Sequence, residues 1–317
     1  MLRPRPNDAA EAGSVIENLP YFWFHVSNKG VVPTHPVARS SKVVFLHGFM
    51  QSHTAWLTTA ARIRDKYGHE SLLLDFYGHG NSPYPSSFDQ LSVGLFVQQL
   101  RRTLERVGWQ DEKLVFAAIS LGAAVALRYN ELYPNSAERF LLFAPSTKAE
   151  PFPLNLANVA SVVAKAGVGL GKTMRHLGLG ITTKLPPIFK SLAYLNLIKN
   201  TPTYDTPQEL KHVHVPFTVL LGQLDCIHTA QAEKWRKAGI PSLNQTIVMP
   251  YEFHVTMCHN PARFKLEDIV NAWHCRHLER RRDNNGRKNL RPSNVPTSPP
   301  TLDQYKTKNV SSIRSRL

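Results

Sequence analysis

Residues 113–127 read KLVFAAISLGAAVAL. After Lys113 the first part is a continuous apolar run, the pattern of a short strand buried on both faces. Ser120 then breaks the run, and Gly122, Ala123, Ala124 and Ala126 follow in a stretch that suits a helix. Two readings of Ser120 compete. It is either the N-cap of an ordinary helix or a hydroxyl held out from a tight strand-to-helix turn. The second reading requires small residues two places before and two places after, because larger side chains would collide as the backbone reverses. Ala118 and Gly122 meet that requirement.

Outward from this stretch the chain alternates strand and helix. YFWFHV (21–26) and KVVFLH (42–47) read as strands. AWLTTAARIRDKY (55–67) has helical spacing at Trp56, Ala60, Ile63 and Tyr67. SLLLDF (71–76) is a further strand. Residues 91–108 carry the stripe Val93, Phe96, Val97, Leu100, Leu104 and Val107 of an amphipathic helix ending at Gly108. Strand 113–119, helix 121–133 and strand 139–144 follow. After an interruption come strands 217–225 and 245–250, then a closing helix over 262–281. Short apolar strands separated by helices predict an α/β fold, a mostly parallel sheet covered on both faces.

The expected organisation is an N-terminal extension (1–19), a core in two parts (20–146 and 211–281), an insertion between them (147–210) and a basic tail (282–317). The 317-residue chain carries a formal net charge of +15. From Arg276 onward eleven Lys or Arg face three Asp or Glu, so much of the excess sits in a segment poor in apolar residues and rich in Pro, Asn and Ser. Such a composition cannot bury enough surface to offset its ordering entropy, and disorder is expected there. No recognition fold or aromatic interleaving accompanies the basic residues, so nucleic acid is not an expected partner.

No stretch reaches the ~18 uncharged apolar residues of a membrane span. Prolines and acids stand within the first twenty residues, where a secretory signal needs an apolar block, so no such signal is expected. Cys226, Cys258 and Cys275 are an odd set without framework or zinc spacing, which suits a reducing compartment. The pairs His212/His214 and His274/His277 lack supporting ligands. Neither a metal nor a cofactor is expected.

Two further loops bear on Ser120. FLHGFMQSHTAW (45–56) places a His-Gly step after a strand. The backbone N–H of Phe49 there, with that of Leu121 at a helix start, could hold a developing oxyanion, Gly48 permitting the turn. DFYGHGNS (75–82) follows the next strand, and Asp75 reads as a structural tie for its loop, with His79 and Ser82 structural beside it.

In order, the chain presents H-G-F at 47–49, D-x-x-G-x-G-x-S at 75–82, A-x-S-x-G at 118–122, G-x-x-D at 222–225 and, after His254, N-P-x-x-F at 260–264. At these residues, over roughly 20–278, it resembles the α/β-hydrolase superfamily in its lid-bearing branch. That resemblance implies Ser120 as nucleophile, Asp225 in LLGQLDCIH as the acid and His254 in YEFHVTMCHNPARF as the base. A serine hydroxyl needs a base to take its proton, an imidazole can take and return it near neutral pH, and a carboxylate fixes the imidazole's tautomer. The rivals are His259 and His228 for the base and Glu150 for the acid.

A serine at 120, where epoxide hydrolases and haloalkane dehalogenases place an aspartate, implies acyl transfer to water rather than alkyl-ester chemistry. Ile119 makes the neighbouring pocket more apolar than is usual for the family. The expected activity is hydrolysis of a carboxylic ester or thioester with an apolar acyl group through an acyl-enzyme. A C–C bond hydrolase with the same triad and a non-catalytic small-molecule-binding protein are the alternatives. The insertion, rich in Leu, Val, Ala and Phe with Lys165, Lys172, Arg175, Lys184 and Lys190 interleaved, is read as a helical lid suited to a lipid-like substrate. The final Ser315, Arg316 and Leu317 resemble the peroxisomal address Ser-Lys-Leu and make its import receptor an expected partner. The peroxisome is therefore the expected location and the cytoplasm the alternative.

Overall fold

The computed structural model describes residues 19–37, 40–49, 51–85, 91–145, 210, 213–225, 237, 239–254 and 257. The expected insertion up to residue 209, the closing helix and the basic tail lie outside these residues, as do Glu150, His228 and His259. The described strands are β1 (Trp23–Val26), β2 (Lys42–Leu46), β3 (Glu70–Leu74), β4 (Leu114–Ile119), β5 (Ala137–Phe143), β6 (Phe217–Gly222) and β7 (Leu243–Met249). They form one seven-stranded sheet in the order β1-β3-β2-β4-β5-β6-β7. Only β1 runs antiparallel to its neighbour, β3. All other pairs are parallel. The alternation read from the sequence is thus a mostly parallel α/β sheet.

The central strands show why. Every residue of β4 and of β6 is buried, which a parallel sheet demands when both faces are covered. Three described helices do the covering: α1 (Thr54–Tyr67), α2 (Val93–Arg106) and α3 (Leu121–Leu132). α1 buries Trp56, Ala60, Ile63 and Tyr67, the four residues at helical spacing, and stops at Gly68 in the left-handed conformation. α2 buries Val93, Phe96, Val97, Leu100 and Leu104. Phe96 stacks on Phe76 at 4.7 Å between ring centroids.

Some boundaries differ from the sequence reading for local reasons. α2 begins at Val93 rather than 91 because Ser92 caps it, its Oγ accepting the Leu95 N–H at 3.1 Å. β6 stops at Gly222 because the chain then leaves the ladder: the Leu224 N–H bonds Glu252 beyond β7, and the Asp225 N–H turns back to the Gly222 carbonyl. β5 and β7 each start two residues earlier than read.

Parallel strands gather all their carboxyl ends on one edge and all their amino ends on the other. The turn from α3 to β5 belongs to the amino edge. There Pro134 and Asn135 are exposed, Asn135 has φ 72°, and the Ser136 N–H bonds the Tyr133 carbonyl at 3.2 Å. No described helix is long and apolar enough to cross a membrane.

Candidate active site

Ser120 stands between the last residue of β4 and the first of α3. Its φ of 51° and ψ of −112° lie where L side chains are costly, about 1–3 kcal/mol. The surroundings hold it there. Its N–H bonds the Phe143 carbonyl at 2.9 Å, continuing the β4–β5 ladder, and its own carbonyl accepts the Ala123 N–H at 3.0 Å. The backbone of Ser120 therefore opens α3 while its side chain makes no capping bond. Ala118 is wholly buried opposite Leu46 of β2. A β-carbon at Gly122 would lie 2.6 Å from the Leu46 carbonyl oxygen and 2.7 Å from that of His47. Small residues on both sides of Ser120 are thus a consequence of α3 starting hard against the end of β2.

The loop leaving β2 passes over the same place. A β-carbon on Gly48 would be 2.9 Å from Gln51 Oε1 and 3.5 Å from the Ile119 carbonyl oxygen. The Gly48 N–H is given to Gln51 Oε1 at 2.8 Å, and the Gln51 N–H returns to the Gly48 carbonyl at 3.2 Å. The next amide along is that of half-buried Phe49. Leu121 supplies the first amide of α3, ahead of any intrahelical acceptor.

Buried His47 locks the start of this loop. Its Nε2 accepts the Phe76 N–H at 3.1 Å, so its Nδ1 carries the proton and donates to the Gly48 carbonyl at 2.8 Å. Both partners require the neutral ring. Burial pushes its pKa below the usual histidine value, against the opposing pull of Asp75 and of the Gly48 carbonyl.

Asp75 is the tie expected for the loop after β3, and it reaches further than that loop. Its carboxylate accepts the Asn81 N–H at 2.8 Å, the His53 N–H, and the His53 Nδ1–H at 2.9 Å. Its carbonyl accepts from Ser82 Oγ at 2.6 Å and from Gln99 Nε2 at 2.9 Å. Burial raises its pKa, but the His53 hydrogen bond, the nearby His47 and the Asn81 N–H together outweigh burial and hold the carboxyl below its ordinary value. His79 is buried beside the stacked Phe76 and Phe96, edge-on to both, its Nδ1 donating to the Tyr77 carbonyl at 3.1 Å. Burial, with His47 adding to it, pushes its pKa down to about 3. Ser82 and His79, read as structural, both hydrogen-bond to the backbone of this loop.

On the other side of β4 the loops after β6 and β7 are sewn together. The Gln223 N–H bonds the Met249 carbonyl, the Leu224 N–H bonds the Glu252 carbonyl, both at 2.9 Å, and the Tyr251 N–H reaches Gln223 Oε1 at 3.1 Å. This seam carries Asp225 and His254. Asp225 is 1% exposed, and its Oδ2 lies 2.9 Å from His254 Nδ1. The bond fixes a proton on Nδ1 and turns Nε2 to the opposite side of the ring.

The structure therefore brings Asp225 and His254 together and sets Ser120 on the same carboxyl edge. The serine is the first residue past β4, Asp225 three past β6 and His254 five past β7. β4 and β6 flank β5, so their axes stand about 10 Å apart, a gap on the scale of an aspartate–imidazole–hydroxyl chain. Sequence reasoning missed Gln51 and His53, which no motif marks, although a polar residue three places after the loop glycine suits a turn. Of the paired histidines considered as ligands, His214 is exposed. No group of three His, Cys, Asp or Glu among the described residues could hold a metal.

The sequence model of the alpha/beta hydrolase family matches residues 43–283. Solved structures share the fold. A carboxylesterase of Nitrososphaera gargenis has a TM-score of 0.63 at 14% identity, covering 83% of this chain and 97% of its own. An esterase from Thermogutta terrifontis has a TM-score of 0.61 at 18% identity, covering 80% and 93%. The thioesterase domain of the curacin biosynthetic pathway gives 0.55 at 18%, covering 78% and 94%. No curated protein sequence matches the chain.

Proposed function

The chain belongs to the alpha/beta hydrolase family, and from that premise we propose that it is a serine hydrolase cleaving a carboxylic ester or thioester with an apolar acyl group. The observation that carries this reading is the 2.9 Å bond between Asp225 and His254 at the edge where Ser120 projects from its strained turn. The fold neighbours that are esterases and a thioesterase support the reaction class.

In this reading Ser120 Oγ attacks the acyl carbon while its proton passes to Nε2 of His254, and Asp225 stabilises the imidazolium that results. The carbonyl oxygen becomes an anion, and the N–H groups of Phe49 and Leu121 receive it. Collapse of the tetrahedral intermediate breaks the bond to the alcohol or thiol, which takes the proton from His254. Water then attacks the acyl-serine, gives a proton to His254, and the acid departs as Ser120 recovers its own. Leu224, Tyr251 and Phe253 are large apolar residues exposed on the Asp225–His254 seam. They support an apolar acyl part, since they place exposed hydrocarbon within three residues of Asp225 or His254.

A fluorophosphonate probe tests the reading. Wild type is expected to be labelled, Ser120→Ala to be unlabelled, and hydrolysis of p-nitrophenyl esters to vanish with the label. Folded wild type that neither labels nor turns over esters or acyl thioesters would overturn it in favour of a ligand-binding role.

A further inference from the structure

The strongest structure around the site that the chemistry above leaves unused is a second imidazole–carboxylate pair. His53 and Asp75 lie on the carboxyl edge, on the side of β4 away from Asp225. The Asp75 carboxyl is wholly buried and the His53 side chain is 11% exposed. His53 occupies the N-cap position of α1, yet its side chain makes no capping bond. It turns to Asp75 instead, adding the Nδ1–H bond of 2.9 Å to the bond its own N–H already makes there. Its ring rests on Phe22 at 4.6 Å between centroids.

This pair closes a frame around the arc that carries Phe49. At the inner end His47 is fixed by the Phe76 N–H and the Gly48 carbonyl. In the middle, Gln51 holds the Gly48 N–H. At the outer end, His53 is tied through backbone and ring to Asp75, whose carboxylate also takes the Asn81 N–H. Both ends of the arc thus hang from the segment that leaves β3. A peptide amide serves an oxyanion only when its N–H already points at the place where charge develops. An arc fixed at one end alone would leave the Phe49 N–H free to swing.

We propose that His53 is a positioning residue for hydrolysis, setting the Phe49 amide through its bond to Asp75. The inference rests on the serine hydrolase reading and on Phe49 as an oxyanion donor. His53 touches no reacting atom. Its contribution falls on the transition state, in which the oxyanion exists, and not on binding of the ground-state ester.

The test compares wild type with His53→Ala, His53→Asn, whose side-chain amide can donate to Asp75, and His53→Phe, which keeps the packing on Phe22 without the donor. kcat and KM for p-nitrophenyl butyrate are measured on enzyme counted by fluorophosphonate titration, with affinities for butylboronic acid and butyrate. A lost or misplaced oxyanion donor lowers kcat by about 10- to 100-fold or more. That loss is expected for Ala and Phe, with KM within about twofold, boronate affinity falling alongside kcat, and butyrate affinity unchanged. Asn is expected to recover most of the loss. If Ala does not fold, Phe and Asn carry the comparison. Active wild type with kcat unchanged in Phe, or with Asn as impaired as Phe, overturns the positioning role alone. An unlabelled, inactive wild type overturns the hydrolase reading and this inference with it.

Discussion

Gly222 and Glu252 touch through their backbones: a β-carbon on Gly222 would stand 2.4 Å from the Glu252 carbonyl oxygen. That carbonyl also accepts the Leu224 N–H. The approach is what lets the loop bearing Asp225 lie against the loop bearing His254, so position 222 governs the carboxylate–imidazole pair without belonging to it. Gly222→Ala is expected to destabilise the protein by about 1–3 kcal/mol, as overpacking does, and to lower kcat of the folded fraction. Urea unfolding and kinetics on titrated enzyme check both effects.

Asp225→Asn keeps the shape of the side chain and removes its charge. The amide no longer favours the proton on Nδ1 or stabilises the imidazolium. A fall in kcat on the order of 10³- to 10⁴-fold is expected, with KM little changed. Steady-state kinetics with a p-nitrophenyl ester, beside a circular dichroism spectrum matching wild type, read the outcome.

Ser120 holds a conformation that glycine adopts without strain. Relieving about 1–3 kcal/mol of strain exceeds the ~0.5–1 kcal/mol entropy cost of glycine. Ser120→Gly is therefore expected to be inactive yet about 1 kcal/mol more stable than Ser120→Ala. Paired denaturation curves measure the difference, and a Gly variant less stable than the Ala variant by about 0.5–1 kcal/mol would show that the turn stores no strain.

Acid should destabilise the fold through its buried neutral imidazoles. Burial holds His79 at about 3, and it holds His47 below the ordinary value of 6.5. In the unfolded chain both take up protons as pH falls through 6.5, while in the folded chain they do not. The unfolded state then binds more protons, so stability falls with pH by up to about 1.4 kcal/mol per unit for each histidine. For His79 the window runs from about 6.5 to about 3, and above 6.5 neither histidine contributes. Asp75, depressed below 3.8, adds stability above that value that is lost only further down. His79→Phe is expected to remove one of the two slopes. Urea midpoints between pH 4.5 and 7.5 measure it.

The sheet was legible because these central strands each hold an apolar run of four to six residues, and the parallel arrangement leaves such runs no exposed face to mark with polar residues. The tight turn at Ser120 was legible because it requires small residues at 118 and 122, and the Asp225–His254 contact through the resemblance, from G-x-x-D at 222–225 and the spacing of His254 to N-P-x-x-F. His53 and Gln51 were not. Their partners, Asp75 and the Gly48 N–H, come from a different strand exit and from the backbone, and neither pairing has a fixed spacing or residue type. The exact end of β6 escaped for a related reason, since Leu224 continues the apolar pattern while its amide has left the ladder for Glu252.

The turn at Pro134 and Asn135 lies across the full height of the sheet from Ser120, and both residues are exposed. Chemistry and connectivity are thus quartered on opposite rims. A fluorophore, an affinity handle or new chain ends could be engineered at 135 with turnover intact, which makes that turn the natural point from which to tether the protein or watch it work.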